Sequence, residues 1–91
     1  MSNSHSLKTG EKYFIRSVTH HYTGRLKAVT DSDIVLEDAC WIADDGRFYD
    51  MLKEGSEKMN DIEPYVDDVV VFRGALLDCT VWNHDLPRTQ K

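Results

Sequence analysis

Apolar and polar residues alternate with a two-residue period in the first half of the chain. Tyr13 and Ile15 fall on one face of an extended segment, while Phe14 falls on the other. The same alternation returns at Ile34 and Leu36, after a stretch that is bounded by short polar turns. This period is typical of β-strands. The pattern therefore predicts three consecutive antiparallel strands between residues 12 and about 39, and the third strand continues or is followed by another through residue 43.

The period changes from two to about 3.6 residues after a polar turn. Phe48, Met51 and Leu52 recur at positions i, i+3 and i+4, which is the spacing of a helix face. Gly55 suits the left-handed residue that ends a helix, and Asp45 suits the N-cap. We expect one helix of about two turns, which depends on packing for its stability.

The rest of the chain predicts a long loop and two more strands. Ser56–Asp68 has the composition of an irregular loop. Val69–Phe72 is uniformly apolar, so we expect a central strand that is covered on both faces. Gly74 predicts a hairpin turn or a bulge before the last strand. In that strand we expect Cys79 to be a small core residue.

This order of elements predicts a mainly β protein. We expect a small, partly closed antiparallel barrel of the SH3-like or Sm-like type, with one short helix before a long loop and the last two strands. An OB-type barrel or an α+β sheet is the alternative. The chain divides into a flexible leader (1–10), a single barrel domain (11–82) and a polar tail (83–91).

Charge excludes some classes of function. The net charge is −5, and residues 1–30 carry +4 from five bases and one acid, while residues 31–78 carry −10 from fourteen acids and four bases. An acidic chain is poorly suited to neutralising many phosphates, so we expect no nucleic-acid partner. The longest apolar run is five residues, and the first ten residues are largely polar, so we expect neither a membrane span nor a secretory leader.

Histidines and cysteines are the candidates for metal or nucleophilic chemistry. The cysteines, Cys40 and Cys79, are 39 positions apart, and His20 and His21 point to opposite faces of a strand; His84 is remote in sequence. This spacing lacks the close pairs of ligands that zinc sites have. Neither thiol lies in a strand-turn-helix nucleophile elbow or beside a glycine-rich oxyanion loop. We therefore predict reduced thiols, no metal, no cofactor, no catalytic residues and no enzymatic activity.

Basic and aromatic residues are the better candidates for binding. Arginines that interrupt apolar strands either pair with carboxylates at the surface or bind an anion in a pocket through bidentate hydrogen bonds. In such a pocket an aromatic ring stacks on the ligand. Burial of one tryptophan in the core is expected, and an interface suits the second. The candidate residues for ligand or interface binding are Arg16, His20, His21, Tyr22, Arg25, Lys27, Trp41 and Arg47.

One further pattern points to a group of proteins. The pattern consists of Arg16-Ser17, Gly24-x-Leu26, Ile34–Ala39 and Trp41, followed by a predicted short helix that ends at a glycine. In this pattern the chain resembles small proteins encoded by bacteriophages and prophages. The resemblance covers residues 13–55. It implies a phage-associated origin and assigns no reaction, so no catalytic residue is carried over. It also implies a place in the cytoplasm of the host cell, or in the virion.

Small barrels leave strand edges unpaired, which favours self-association. We therefore expect a homo-oligomeric accessory protein that acts by binding a host protein or by sequestering a small anionic, nucleotide-like ligand. A structural component of the capsid or tail is the alternative, and an Sm-like RNA-binding protein is a weaker one. A host or phage protein and a small anion are thus the expected partners besides a second copy.

Overall fold

A computed structural model describes residues 7–91, and in this range six strands form one antiparallel sheet. The helix of the fold is α1 (Phe48–Glu54), with 3₁₀ turns at Ser56–Lys58 and Arg73–Ala75. The strands are β1 (Lys12–Ser17), β2 (His21–Val29), β3 (Asp33–Asp44), β4 (Asp61–Pro64), β5 (Val69–Phe72) and β6 (Leu76–Val81). Their order is β4-β3-β2-β1-β6, and β5 also pairs with β3. The prediction of a mainly β, antiparallel fold with one short helix is confirmed.

The three-strand meander follows the alternation in the sequence, with one interruption. Leu36 lies in the same hydrophobic cluster as Ala39, although three positions separate them. Asp38 between them has a φ of 50°, and the register of β2 against β3 shifts at this point. This bulge moves the odd-numbered residues after Asp38 onto the face that the even-numbered residues occupied before it.

Two hydrophobic clusters lie on opposite faces of the sheet, because successive side chains of a strand point to opposite sides. Tyr13 and Ile15 of β1 belong to one cluster, and Phe14 belongs to the other. The inner cluster consists of Tyr13, Ile15, Tyr22, Leu26, Ile34, Leu36, Ala39 and Val71. The helix-side cluster consists of Phe14, Cys40, Ile42, Met51, Met59, Ile62 and Trp82. A single sheet thus supports two cores.

Gly24 brings β2 and β3 together at the centre of the inner cluster. A β-carbon at this position would lie 3.0 Å from the Leu36 Cβ and 3.3 Å from the Ala39 Cβ. Both distances are shorter than ordinary van der Waals contact, so a side chain here would push the two strands apart. Glycine at this position therefore fits the close approach of the strands.

The helix has the predicted C-terminus but a different N-terminus. Gly55 ends α1 with a φ of 99°, and its amide donates a hydrogen bond to Met51 O. The prediction of Asp45 as N-cap is wrong: Arg47 is the N-cap, and no side chain caps the helix. The Asp45 carboxylate instead faces the ring of His21, with 3.0 Å between Oδ2 and Nδ1.

The expected long loop contains a strand. β4 pairs with the second half of β3, and it buries only Ile62. A four-residue strand that buries one apolar side chain and ends in proline carries no two-residue pattern long enough to detect. The Ser56–Asp68 segment is therefore only partly irregular.

Two expectations about the last strands are also wrong. β5 pairs with β3 alone and buries Val71, whereas Val70 and Phe72 are exposed. It is an edge strand and not a central one. Cys79, expected in the core, is exposed on β6, which is also an edge strand. Gly74, expected at a hairpin turn or bulge, lies in the 3₁₀ turn that links the two.

The segment after β6 packs against the helix-side cluster. The Trp82 indole N–H donates to Asp85 O at 3.1 Å, and the His84 Nε2 donates to Leu52 O at 2.7 Å. The backbone of Lys91 exchanges two hydrogen bonds with Ile62, at 2.9 and 3.0 Å. Residues 83–91 therefore cover α1 and the free side of β4.

The sheet curls without closing. β6 and β3 are separated by β1 and β2, which is about 14 Å in a flat sheet. Leu76 and Ile34 nevertheless line one cavity, so the sheet bends around the inner cluster. In the described residues β6 pairs only with β1, and neither β4 nor β5 joins it. The inner face of β6 therefore stays open along one side.

Candidate functional site

The sheet divides the sequence-predicted binding residues between its two faces. Tyr22 lies opposite Ile15 on the inner face, and Trp41 lies beside it on β3. His21 lies opposite Arg16 and contacts Phe14 on the helix side. The arginines and the aromatic rings therefore do not meet in one pocket. The single mixed site that the sequence suggested is two separate groups of side chains.

The first group, the aromatic cluster, consists of His20, Tyr22, Trp41 and Tyr65. The His20 ring lies 4.8 Å from the ring of Tyr22 and 5.6 Å from that of Trp41, between centroids. Tyr65, which the sequence analysis missed, stacks on Tyr22 at 6.2 Å. It lies just after β4, where its amide bonds to Ala39 O. Only the pairing of β4 with β3 brings it to this place.

Burial favours the neutral forms of His20 and Tyr65 in the aromatic cluster. His20 Nε2 lies 2.8 Å from the Tyr22 hydroxyl, and its Nδ1 lies 2.8 Å from the Thr19 hydroxyl. Burial, and then the electrostatic interaction with His21, lowers the pKa of His20. Burial, and then the Tyr22 hydroxyl, raises the pKa of Tyr65. At neutral pH His20 and Tyr65 thus carry no charge, and the cluster offers stacking surfaces and hydroxyls.

The second group lies at the rim of the helix side. The Arg16 guanidinium makes two hydrogen bonds to the Asp78 carboxylate, one of them from Nε at 2.8 Å. Its Cζ also lies 5.3 Å from the ring centroid of Phe48. The hydrogen bond from Arg16 lowers the pKa of Asp78. Arg16 is therefore occupied by a carboxylate and an aromatic ring of the same chain.

The other predicted cations are also engaged or isolated. Arg25 Nη1 lies 2.8 Å from Asp38 Oδ2, and Lys27 Nζ lies 2.6 Å from Asp68 Oδ2. In the register of β1 and β2, Arg25 lies opposite Lys12. Lys12 and Arg16 are four residues apart on β1, so their Cα atoms are about 13 Å apart. Arg47 is exposed at the start of α1. Arg16 and Arg25 therefore do not share a pocket.

A cavity of about 170 Å³ opens on the inner face, and sequence reasoning did not find it. It lies where the curled sheet fails to close. Its apolar lining is largely the inner cluster, and charged groups lie at one side. The lining residues are Leu7, Tyr13, Ile15, Leu26, Ile34, Arg73, Leu76, Leu77, Asp78 and Cys79. Only the curl of the sheet brings these positions together, so no motif in the sequence marks them.

Exposed apolar side chains lie on the two strands β5 and β6, and one of them, Leu77, lines the cavity. Leu77 of β6 is 64% exposed and Phe72 of β5 is 68% exposed, although both belong to strands. Val81 at the end of β6 is also exposed. Apolar residues on a strand with one neighbour are a common feature of sheet edges that pair with another chain.

The cysteines differ in exposure. Cys40 is buried in the helix-side cluster, where burial raises the pKa of its thiol to about 11. Burial, and then the charge of Asp78, raises the pKa of Cys79 as well. Both sulfurs are therefore protonated at neutral pH and are weak nucleophiles.

The described range holds neither a cluster of metal-binding side chains nor a helix that could span a membrane. Among residues 7–91, no three His, Cys, Asp or Glu side chains come together where they would hold a metal ion. No helix in the same range has the length and apolar composition needed to cross a membrane.

No protein-family model matches this chain, and no curated protein or solved structure is significantly similar to it. The candidate site therefore rests on the geometry described above.

Proposed function

We propose that this chain is a non-enzymatic protein that self-associates and acts by binding, through the open edge of its sheet. The observation that carries the proposal is β6, which within residues 7–91 has one strand neighbour and which exposes apolar side chains at Leu77 and Val81. A bare apolar edge strand pairs readily with another strand.

The strand order supports an SH3-like barrel as the architecture. β6-β1-β2-β3-β5 are adjacent in that order, and a 3₁₀ turn connects the last two strands along the chain. α1 and β4 are then an insertion between the third and fourth strands of the barrel. On this interpretation, β5 and β6 are the two edges at which the barrel fails to close.

A second copy of the chain is the occupant that suits β6. Antiparallel pairing centred on Cys79 places Leu77 opposite Val81 of the second copy, and Asp78 opposite Thr80. Apolar residues then face apolar residues, and no two like charges lie directly opposite each other. The charge of Asp78 is already compensated by Arg16. This arrangement gives a two-fold interface, the commonest symmetry of homo-oligomers.

The side chains support binding and not catalysis. Cys40 is buried and its thiol pKa is about 11, so it is a poor nucleophile. Arg16, Arg25 and Lys27 are each paired with carboxylates, which argues against the many phosphate contacts of a nucleic-acid binder. A compact partner that uses few charged contacts fits better.

The resemblance of residues 13–55 to phage and prophage proteins supports an accessory role in the cytoplasm of an infected host. In that role the chain would bind a host protein or a small anion. A place in the virion predicts instead that the protein is found in purified particles.

Self-association is tested by the mass of the purified protein in solution. We expect a dimer or larger assembly at micromolar concentration by light scattering and native mass spectrometry. Leu77→Lys places a charge on the exposed apolar edge and should give a monomer that is still folded. Val66→Lys is the matched control, because Val66 is 94% exposed in the loop after β4.

A monodisperse wild-type monomer at these concentrations would refute the proposal. An assembly that is equally stable in Leu77→Lys would place the interface away from β6. Circular dichroism on both variants verifies that the fold is retained.

A further inference from the structure

The cavity on the inner face has the size of a small apolar ligand. Its volume is about 170 Å³, and aliphatic and aromatic side chains of the inner cluster form most of its wall. A dry cavity of roughly 150 Å³ with such a lining is known to bind benzene in another protein. A group of about six to eight carbon atoms therefore fits this space.

The mouth of the cavity holds one cation that is positioned but not neutralised by an ion pair. Arg73 Nη1 donates a hydrogen bond to Thr30 O at 2.7 Å, and the Arg73 amide donates to Ser32 O at 2.9 Å. These bonds fix the guanidinium beside the cavity. In the described residues its remaining N–H groups have no carboxylate within ion-pair distance.

The acidic group at the mouth is already compensated. Asp78 lines the cavity, but its carboxylate accepts two hydrogen bonds from Arg16. That leaves Arg73 as the charged donor facing a ligand. Guanidinium groups bind carboxylates through two parallel hydrogen bonds, so a carboxylate is the anion that fits.

We propose that this cavity binds small carboxylic acids, with the apolar part of the ligand against the inner cluster and the carboxylate on Arg73. This proposal specifies the chemical class of the small anion in the proposed binding function, and it rests on that function. It requires no contribution from a second copy, so it is tested separately from self-association.

Phenylacetate is the probe, because it combines a seven-carbon benzyl group with one carboxylate. Benzylamine is the matched control ligand, with a similar body and the opposite charge. Isothermal titration of the wild-type protein should show saturable binding of phenylacetate and at least tenfold weaker binding of benzylamine.

Arg73→Gln should weaken phenylacetate binding by roughly 10- to 100-fold, because it removes the charged hydrogen bonds. Lys53→Gln is the matched variant, since Lys53 is an exposed cation on α1 that does not line the cavity. Its affinity should equal that of the wild type. Circular dichroism verifies that both variants are folded.

Cys79 locates the ligand without any mutation. This thiol lines the cavity and is exposed, whereas Cys40 is buried. Phenylacetate should slow the reaction of Cys79 with the disulfide reagent DTNB, measured by peptide mass spectrometry, and benzylamine should not. Equal affinity for the two ligands, no loss in Arg73→Gln, or an unchanged rate at Cys79 would overturn the proposal.

Mass measurement on the same samples separates the two proposals. A monomer that binds phenylacetate would refute self-association and leave the cavity proposal intact. An assembly that binds neither ligand would refute the cavity proposal and leave self-association intact.

Discussion

The two faces of the sheet carry cores of similar size, but they are covered differently. On the helix side, α1, β4 and residues 83–91 enclose a cluster whose members are each at most 2% exposed. On the inner face the sheet must cover itself by curling, and an opening remains beside β6. Leu77, which lines the cavity at that opening, stays exposed. The comparison shows that closure here depends on segments added outside the meander.

The sheet edges differ in the same way. The free side of β4 is paired by the backbone of Lys91, which exchanges two hydrogen bonds with Ile62. In the described residues β6 has no such cover. Proteins usually protect edge strands because bare edges aggregate. The contrast between the covered edge of β4 and the bare edge of β6 therefore favours a binding role for β6.

The largest effect is expected from a matched pair of aromatic truncations, one at a covered position and one at an exposed position. Trp82 is buried in the helix-side cluster, so Trp82→Ala should cost about 3–5 kcal/mol of the free energy of unfolding. Phe72 is exposed on the edge strand β5, so Phe72→Ala should change monomer stability by less than about 0.5 kcal/mol. Urea denaturation measures both. Equal losses in the two variants would contradict the difference in cover.

A smaller effect is expected at the turn before α1, because this turn positions the helix that covers the helix-side cluster. Gly46 has a φ of +73°, and an added Cβ would lie 2.3 Å from Lys58 O. Gly46→Ala should therefore cost about 2–4 kcal/mol, from backbone strain and a clash with backbone.

Gly10 separates the two causes. Its φ is +88°, but no atom lies within 4 Å of an added Cβ. Gly10→Ala should then cost only the conformational term of about 1–2 kcal/mol. If Gly46→Ala were no more destabilising than Gly10→Ala, the packing of the turn on Lys58 would be wrong.

The smallest effect concerns pH and the aromatic cluster of the inner face. Burial lowers the pKa of His20 below its ordinary value of 6.5, so protonation favours the unfolded chain. The contribution of His20 is complete above pH 6.5 and is lost as the pH falls through its folded pKa. His20→Gln should therefore lose less stability than the wild type between pH 7.5 and 5.

Proton NMR of the His20 ring measures the same quantity directly. The ring should titrate below pH 6.5. A midpoint above that value, or identical pH dependence of unfolding in wild type and His20→Gln, would show that the ring is not desolvated as described.

Elements with a clear periodicity were predictable, and elements that depend on distant pairing were not. Phe48, Met51 and Leu52 indicated the helix correctly, because its apolar spacing is local. β4 escaped detection, since Ile62 alone is buried and pairing with β3 defines the strand. The apolar run of β5 suggested a central strand, but hydrophobicity does not reveal how many neighbours a strand has.

The candidate site was less predictable than the fold. The sequence marks Tyr22 and Trp41 as candidate binding residues, and both lie in the aromatic cluster, but nothing local marks Tyr65 as their neighbour. Arg16 and Arg25 looked like anion ligands, yet each has a carboxylate beside it. Arg73 directly follows the apolar run that ends at Phe72, and its place at a cavity depends on the curl of the sheet.

The amino-acid sequence by itself determined the strands of the meander, the short helix and the acidic balance, because these depend on neighbours along the chain. The tertiary structure alone decided which edge is covered, which cations are already paired and where a cavity remains. Those properties depend on contacts between residues tens of positions apart, and a linear pattern carries no record of such distances.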